Sequence, residues 1–217
     1  ESVSAKGKPC SGTRVAAALS ALFGGLLSMG AAQAQTAPPP NALPTGGQVS
    51  AGQASIGQNG AHMVIQQGTD RAAINWQSFN VGAGHTVNFV QPSASAVSLN
   101  RVVGTDVSVI QGALNANGHV FLLNPNGVLF SPTSQVNVGG LVASTLAMTD
   151  ADFMAGRYAL AGASSSAVVN QGNIVAQPGG HGGFVVLVAG KVLNEGSMSA
   201  AQGSVRLAAA GKVTLSL

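Results

Sequence analysis

The sequence has a single cysteine, which stands near the start of the chain. Cys10 is the only thiol among 217 residues. With one cysteine, no disulfide can form within the chain. Beyond Cys10, no cysteine is available as a nucleophile or as a metal ligand. A fold that depends on disulfide bonds and a reaction at a catalytic thiol are therefore excluded.

Charged residues are also scarce, at 7% of the sequence. Nucleic-acid binding needs a basic patch or stripe, whereas the charges beyond residue 34 are scattered and nearly balanced. We therefore expect no nucleic-acid partner, in spite of the basic pI. The basic residues beyond 34 are Arg71, Arg101, Arg157, Lys191, Arg206 and Lys212, and the acidic ones are Asp70, Asp106, Asp150, Asp152 and Glu195.

Groups for acid–base or metal chemistry are not clustered along the chain. Asp150 and Asp152 are the only close acid pair, and they fall at the start of a short helix predicted between Thr149 and Tyr158, where the helix dipole favours acids. Polysaccharide hydrolysis needs carboxylates placed as catalytic pairs. We predict no enzymatic activity, no metal and no cofactor. The histidines are too far apart for a metal-ligand spacing: His62, His85, His119 and His181.

The N-terminal stretch has the pattern of a secretory signal peptide. Three basic residues precede an apolar, small-residue stretch from Val15 to Ala32, and Ala34 closes an Ala-x-Ala motif. Glycines within the stretch argue against a permanent membrane span. We predict cleavage after Ala34, so that residues 1–34 are a leader. Because the chain opens on Glu1, we expect that its true start is missing.

A change of composition marks the start of the predicted domain. Residues 35–48 are rich in Pro, Ala, Thr and Gly, which is typical of a flexible linker. From Val49 onward, short apolar runs alternate with Gly and Asn, and no long segment keeps a helical period. We therefore predict one domain over residues 49–217. Because its last alternating strand stops at Leu217, we expect this domain to continue beyond that residue.

Internal repeats indicate the architecture of this domain. The segment Asn170–Ile174 recurs as Asn194–Met198 after 24 residues, and Gly183–Val192 recurs as Gly203–Val213 after 20 to 21. A period of roughly 20–25 residues built from short strands is typical of a β-solenoid. Coils would stack in register over one apolar core, with Gly and Asn at the corners. An N-terminal cap beginning at Val49 would cover the open edge.

One stretch, His119–Phe130, combines two short strands with a well-defined turn. The apolar runs Val120–Leu123 and Val128–Phe130 flank the tetrapeptide Asn124–Gly127, which reads Asn-Pro-Asn-Gly. Asn at the first position, Pro at the second and Gly at the fourth suit a type I turn. The flanks are too short for helices, so the pattern predicts strand, turn and strand. Taken alone, this pattern is typical of an ordinary hairpin and indicates no function.

Four further segments accompany this turn in a fixed order along the chain. They are Ile74–Gly82, Val87–Phe89, Leu99–Val102 and, after the turn, Val136–Leu146. Together the five segments resemble the N-terminal secretion domain of the two-partner secretion family, the filamentous-haemagglutinin-like exoproteins of Gram-negative bacteria. The resemblance runs from about Val49 to the C-terminus. A second Asn-Pro-Asn-Leu motif, found in part of the family, is absent here, so its role is not carried over.

The resemblance implies a fold and a set of functional residues. The fold is all-β, a right-handed parallel β-helix with an N-terminal cap and minor antiparallel hairpin elements. The transporter-recognition and folding motif would be Asn124, Pro125, Asn126 and Gly127. The supporting motif would be Asn75, Trp76, Phe79, Asn100 and Arg101, with Trp76 and Phe79 as a buried anchor of the cap.

The resemblance also implies a route and a partner. The unfolded chain would cross the periplasm, be recognised by an outer-membrane transporter barrel with periplasmic docking domains of the POTRA type, and reach the cell surface or the medium. A following passenger, expected to be an adhesin, would contact a host cell surface or other bacteria. The alternative is a self-contained surface adhesin or carbohydrate-binding β-solenoid. That alternative needs exposed aromatic or polar rows, of which the sequence offers few.

Overall fold

The computed structural model describes residues 42–177 and 182–216. The predicted leader of residues 1–34, the first half of the predicted linker, His181 and Leu217 lie outside the described residues. In chain order the first strands are β1 (Gln48–Ala51), β2 (Ala54–Asn59), β3 (His62–Gln67), β4 (Arg71–Trp76), β5 (Thr86–Val90), β6 (Val97–Val102), β7 (Ser108–Ile110), β8 (Ala113–Ala116), β9 (His119–Leu123), β10 (Val128–Phe130), β11 (Gln135–Val138) and β12 (Gly140–Ser144). They are followed by helix α1 (Asp150–Met154) and by β13 (Tyr158–Ala161), β14 (Ala167–Asn170), β15 (Asn173–Ala176), β16 (Phe184–Ala189), β17 (Lys191–Asn194), β18 (Ser197–Ala200), β19 (Ser204–Ala209) and β20 (Lys212–Leu215).

Three sheets form the sides of a solenoid, and each full coil visits them in the same order. Sheet A has the strand order β1-β4-β6-β9-β12-β16-β19, sheet B has β17-β14-β10-β7, and sheet C has β18-β15-β11-β8-β5-β3-β2. Apart from β1 and β2, neighbouring strands in these sheets are parallel and come from successive coils. About six coils stack in this way. The predicted fold, a parallel β-helix, is confirmed.

The strand registers match the repeats in the sequence. In sheet B, Asn170 pairs with Asn194, and in sheet C, Ile174 pairs with Met198, both at the predicted shift of 24. In sheet A, Phe184 pairs with Ser204, at the shift of 20. Equivalent residues therefore stack directly above one another, so that identical polar side chains can form ladders between coils.

The N-terminal end of the solenoid is covered by two antiparallel strands. β1 pairs with β4, with Val49 opposite Ile74, and β2 pairs with β3 in a hairpin. Ile56 of β2 packs against the buried interior. The predicted cap and minor antiparallel elements are thus present, and the cap satisfies the strand edges of the first coil, which would otherwise be open to pairing.

The apolar residues form two clusters, one on each face of sheet A. Val120 and Leu122 of β9 point into the solenoid interior, whereas Phe121 and Leu123 point outward. Because successive side chains of a strand point to opposite faces, this continuous apolar run requires both faces to be covered. The outer cover is an excursion between β12 and β14, which contains α1 and β13.

Aromatic contacts hold the excursion on sheet A. The ring of Phe121 lies 5.1 Å from that of Tyr158 and 6.1 Å from that of Phe153, both in edge-to-face arrangements. Phe153 is the buried residue of α1, and Thr149 caps the helix by accepting a hydrogen bond from the backbone N–H of Asp152. The predicted short helix is confirmed, with Asp150 in its first turn.

The last strand differs from the expectation drawn from the repeats. Val213 and its neighbours were expected to stack on the preceding coil, because Lys212 matches Lys191 at a shift of 21 residues. Instead, β20 pairs antiparallel with β13, with Leu215 opposite Tyr158. The physical reason is burial, since Leu215 joins the outer apolar cluster on sheet A and is only 8% exposed.

The described end of the predicted linker is packed rather than free. Leu43 is buried, the backbone of Thr45 bonds to that of Ser78, and the carbonyl of Ala42 accepts from the N–H of Gly82. Residues 42–48 therefore lie against the first coil, which differs from the flexible spacer expected over residues 35–48. No helix in the described part of the chain is long and apolar enough to cross a membrane.

Candidate functional site

The Asn124–Gly127 tetrapeptide forms a closed turn at a corner of the solenoid. The backbone N–H of Gly127 donates to the carbonyl of Asn124 over 3.0 Å, and Asn126 does not have a positive φ. Both features fit the predicted type I turn. The flanking strands do not form a hairpin, since β9 belongs to sheet A and β10 to sheet B. The turn therefore redirects the chain from one side of the solenoid to the next.

The amide of Asn124 is fully buried and all of its hydrogen-bonding capacity is used. Its Nδ2 donates to the carbonyl of Asp106 over 2.9 Å and to Oγ of Ser108 over 3.0 Å. Its Oδ1 accepts from the backbone N–H of Asn126 over 2.9 Å. Because a buried polar group is costly unless it is paired, this geometry accepts an amide and disfavours both apolar and acidic side chains. Asn124 thereby ties its turn to the preceding coil.

Asn126 makes a second connection to the preceding coil. Its Nδ2 donates to the carbonyl of Gly104 over 2.9 Å and to Oδ1 of Asn124 over 3.2 Å. Gly104 itself lies so close to the first coil that a side chain there would collide with the carbonyl of Gln77. The corner turns of three successive coils are thus in direct contact.

Gly127 and Pro125 each suit their place in the turn. Gly127 has φ +114°, and a Cβ atom there would lie 3.0 Å from the carbonyl oxygen of Ala167. A side chain at this position would be strained as well as crowded. Pro125 is the exposed residue of the turn, and its carbonyl accepts from Oγ of Ser164 over 2.6 Å. The turn is therefore held from the following coil as well as from the preceding one.

One half of the supporting motif lies inside the solenoid. The indole Nε1–H of Trp76 donates to Oδ1 of Asn100 over 3.0 Å, and both residues are buried. The amide nitrogen of Asn100 donates in turn to Oγ of Ser98 over 3.2 Å. The rings of Trp76 and Phe79 meet edge to face at 5.5 Å. Trp76 and Phe79 are thus buried and in contact, and their role as an anchor of the cap stays a prediction.

The other half lies on the outer face of sheet A. Arg101 donates from Nη1 to Oδ1 of Asn75 over 2.9 Å, and from Nη2 to the carbonyl of Met148 and to Oδ1 of Asp150, each over 2.7 Å. Burial raises the pKa of Asp150, but the hydrogen bonds from Arg101 and Ser50 and the positive charge of Arg101 together outweigh it, so the pKa is lowered overall. Arg101 therefore joins two coils to the excursion.

The two motifs belong to one continuous structure. In sheet A, Asn75 pairs with Arg101, so the segments Ile74–Gly82 and Leu99–Val102 are neighbours. The loop after β6 bonds to the coils on both sides of it. The N–H of Val103 donates to the carbonyl of Trp76 in the preceding coil, and the carbonyl of Gly104 accepts from Nδ2 of Asn126 in the following one. We call this stack of contacts, from Trp76 to Asn126, the corner column.

Several residues that complete the column carry no signal in the sequence. The partners of the turn are Gly104, Asp106, Ser108 and Ser164, and the partner of Arg101 is Asp150. They lie between 16 and 49 residues from the groups they contact. Asp150 was predicted only as a helix-start residue, and its ion pair was missed. Only the coil register, once known, brings such distant residues together.

Comparison with known proteins decides the family. The family model described as the TPS secretion domain matches residues 40–217. The chain belongs to this family. The predicted relationship to two-partner secretion proteins is thereby confirmed.

Related proteins support the assignment of this TPS secretion domain. It is 37% identical over 180 residues to the heme/hemopexin-binding protein of Haemophilus influenzae strain Rd, covering 81% of this chain and 20% of that protein. A second heme/hemopexin-binding protein of Haemophilus influenzae is 51% identical over 83 residues, which are 38% of this chain and 9% of that protein. The chain thus spans about a fifth or less of these curated relatives.

A solved structure agrees with both the fold and the family. The crystal structure of the HMW1 secretion domain from Haemophilus influenzae superposes with a TM-score of 0.70 at 32% identity, covering 79% of this chain and 46% of that one. TPS domains belong to exported proteins, and two-partner secretion implies a partner transporter.

Within the described residues, no group of three or more His, Cys, Asp or Glu side chains could hold a metal ion.

Proposed function

We propose that this TPS secretion domain is recognised by an outer-membrane transporter barrel bearing POTRA-type docking domains, and that it starts the folding of the exported protein. The family assignment supports export with a partner. The leader pattern of residues 1–34 and the absence of cysteine beyond it fit passage through the periplasm of a Gram-negative bacterium in an unfolded state. The final location is the cell surface or the medium.

The burial of the turn is the observation that carries the proposal. Asn124 has no exposed surface in the folded domain, and Gly127 is also buried. A docking domain can therefore contact Asn124 and Gly127 only before the domain folds. The same four residues would serve in succession, first as an accessible peptide in the periplasm and then as a corner turn outside the cell in which Asn124 and Gly127 are buried.

The turn is well suited to start the solenoid. Its own closure needs only local contacts, which cost little chain entropy. Once closed, it presents the amides of Asn124 and Asn126 to the preceding coil and the carbonyl of Pro125 to Ser164. The corner therefore fixes the register of the coils on both sides. The supporting motif would hold the cap and the excursion onto this template through Trp76 and Arg101.

Strand addition is the mode of docking that fits an unfolded chain. Extended segments of this domain can pair with exposed strand edges of the docking domains, as peptides do in other complexes formed by β-augmentation. Such pairing uses backbone groups that the folded coils later pair with one another. Folding outside the cell then removes these groups from the transporter and biases export without ATP.

The experiment that tests the proposal is a secretion assay in a Gram-negative host. The chain is expressed with and without its cognate transporter, and the medium is assayed for the protein. We expect transporter-dependent secretion that is abolished by the paired substitutions Asn126→Val and Gly127→Val. The matched control carries Gln135→Val and Asn137→Val at exposed positions of β11, and we expect normal secretion. Normal secretion of the turn variant, or secretion without any transporter, would refute the proposal.

The rest of the exported protein is expected to act as an adhesin towards a host cell surface or other bacteria. The relatives named for heme/hemopexin binding suggest a second possibility, binding of heme or hemopexin. This domain spans only about a fifth of the first relative. We infer no catalytic activity for it, because the family is a secretion module and the one close acid pair in the sequence, Asp150 and Asp152, stands at the start of a helix and is engaged by Arg101 and Arg157.

A second candidate function rests on the outer face of sheet C. None of its strands contains an Asp, Glu, Lys or Arg, and it has a row of amides in which Asn115 donates to Asn88 over 2.9 Å and Asn137 donates to Asn115 over 3.4 Å. A shallow groove of about 480 Å³ follows this row. Such a polar row was not expected from the sequence, and it favours a neutral carbohydrate ligand. A glycan array tests this function. Binding by the unmodified chain that is lost in the double variant Asn88→Ala and Asn115→Ala, while secretion of that variant stays normal, would support it.

A further inference from the structure

Three asparagines of the chain are each followed by glycine, at Asn59, Asn117 and Asn126. This dipeptide undergoes a spontaneous reaction, because glycine offers no side chain to block it. The backbone nitrogen of glycine loses its proton and attacks the side-chain amide carbon of asparagine. Ammonia leaves, a succinimide ring forms, and one water molecule opens the ring to aspartate or isoaspartate. The reaction therefore requires a free glycine N–H and a mobile amide.

At Asn126 the fold provides neither a free glycine N–H nor a mobile side-chain amide. The N–H of Gly127 is donated to the carbonyl of Asn124 over 3.0 Å, and Nδ2 of Asn126 is held by the carbonyl of Gly104 over 2.9 Å. Rotation of the amide towards Gly127 would break contacts with the preceding coil. Attack therefore needs the corner column to open, and such opening is rare for buried, fully bonded backbone.

Asn117 is held in a comparable way by a buried glutamine. The N–H of Gly118 donates to Oε1 of Gln91 over 3.0 Å. The Oδ1 of Asn117 accepts from the backbone N–H of Gln91, and its Nδ2 donates to the carbonyl of Gln91, each over 2.8 Å. Both ends of the reacting pair are thus fixed to one neighbouring residue of the preceding coil.

Asn59 lacks this protection. It lies at the tip of the cap hairpin, where Asn59 and Gly60 are both exposed, and its amide makes no hydrogen bond within the described part of the chain. Gly60 has φ +56°, and a Cβ atom there would meet nothing within 4 Å. The space at Gly60 is therefore open, and the pairing of Asn59 with His62 at the very end of the hairpin is the restraint on the rotations that bring nitrogen and amide carbon together.

A histidine stands beside this pair. His62 is the cross-strand partner of Asn59 in the hairpin, and it is exposed. Cross-strand partners have Cβ atoms about 4.5–5.5 Å apart, so the imidazole lies within reach of the reacting groups. An imidazole can accept the proton from the glycine nitrogen and donate one to the departing ammonia.

We propose that Asn59 is a site of spontaneous deamidation in the folded domain, assisted by His62, and that folding protects Asn117 and Asn126. The product places a new negative charge at the tip of the cap. Isoaspartate in addition lengthens the backbone at Asn59, directly before a two-residue hairpin loop whose geometry depends on its length. The folded protein is thus deamidated at its cap, whereas Asn126 in the turn remains asparagine.

The test is peptide mapping by mass spectrometry after incubation of the purified folded chain in mildly alkaline buffer. We expect conversion at Asn59 to be at least roughly ten-fold faster than at Asn117 or Asn126, because the latter two need local opening. In the same buffer with denaturant, all three sites should react at similar rates. Equal rates in the folded chain, or no conversion at Asn59, would overturn the proposal.

Two variants sharpen the test. Gly60→Ala hinders attack at Asn59 alone and should slow only that site, which confirms the reaction by its dependence on glycine. His62→Gln keeps a polar side chain but removes the imidazole, and it should slow conversion at Asn59 in the folded chain without an effect in denaturant. An unchanged rate in His62→Gln would overturn the role given to the imidazole.

Discussion

Arg101 and Asp150 form an ion pair across 49 residues of sequence, with 2.7 Å between Nη2 and Oδ1. Arg101 extends from the outer face of sheet A, and Asp150 is the first residue of α1. The same guanidinium also bonds to Asn75 in the preceding coil and to the carbonyl of Met148. One side chain thus connects two coils and the excursion that covers them.

Loss of this ion pair should loosen the excursion. Both side chains are partly shielded from solvent, at 21% and 32% exposure, and hydrogen bonds to charged groups are stronger than neutral ones. We expect Asp150→Asn to lower the free energy of unfolding by about 1–2 kcal/mol, measured by urea denaturation. The matched control is Asp152→Asn, whose partner Arg157 is mostly exposed, and we expect little change. Equal losses in both variants would contradict the role given to Arg101.

The pH dependence of stability should reflect the same group. Because the pKa of Asp150 is lowered in the folded domain, its ion pair contributes stability in full above the ordinary pKa of an aspartate, and this contribution is lost as the pH falls through the lowered pKa. Asp150→Asn should therefore show a smaller loss of stability on acidification than the unmodified chain. Thermal unfolding followed from neutral to acidic pH measures this difference, and parallel curves would contradict it.

The buried amide of Asn124 predicts a large effect from a small change. Asn124→Asp replaces two N–H donors by an acceptor facing the carbonyl of Asp106 and the hydroxyl of Ser108. We expect a loss of at least about 3 kcal/mol in the free energy of unfolding, because a buried charge then faces the carbonyl oxygen of Asp106 where a donor stood. The same change at exposed Asn137, the matched control, should alter stability by less than about 0.5 kcal/mol. Comparable losses at the two sites would show that the corner is not specific for an amide.

The repeats and the turn were predictable because their signals are local or periodic. The type I turn follows from four adjacent residues, and the shift of 24 residues between Asn170 and Asn194 gives the coil register directly. The motif segments resembled a known family because each is a short run in a fixed order. The pairing of Asn75 with Arg101 spans 26 residues, a shift that neither repeat gives, so it was not predictable from them.

The excursion was harder to predict because its contacts follow no period. The 44-residue step from Gly140 in β12 to Phe184 in β16 is about twice the 21-residue step from His119 in β9 to Gly140. β20 takes a distant partner in β13 that no repeat relates to it. A signal was present in the uninterrupted apolar run of β9, since a strand buried on both faces loses the alternation of apolar and polar residues. That run indicates a second covering layer without identifying the segment that supplies it.

The glycine of the turn should be more sensitive to substitution than a glycine elsewhere. Gly127→Ala places a Cβ atom 3.0 Å from the carbonyl of Ala167 at φ +114°. We expect a loss of about 1–3 kcal/mol in the free energy of unfolding, from strain and crowding together. The matched control is Gly57→Ala in β2, where the new atom meets nothing within 4 Å and stability should not fall. Urea denaturation of both variants checks this, and an equal effect would mean that the corner tolerates side chains.

The bond between Trp76 and Asn100 gives a final prediction for the interior. Trp76→Phe keeps an aromatic ring but removes the N–H that donates to Oδ1 of Asn100, and it leaves a buried acceptor unpaired beside a small cavity. We expect a loss of about 2–4 kcal/mol by urea denaturation, from the unpaired group and the lost volume together. Tyr158→Phe also removes the polar atom of a largely buried ring, but that hydroxyl makes no hydrogen bond within the described residues, so its loss should be small. If Trp76→Phe lowered the free energy of unfolding as little as Tyr158→Phe, the buried hydrogen bond would not stabilise the corner column. The contribution of Trp76 to stability would then come from packing of its ring alone.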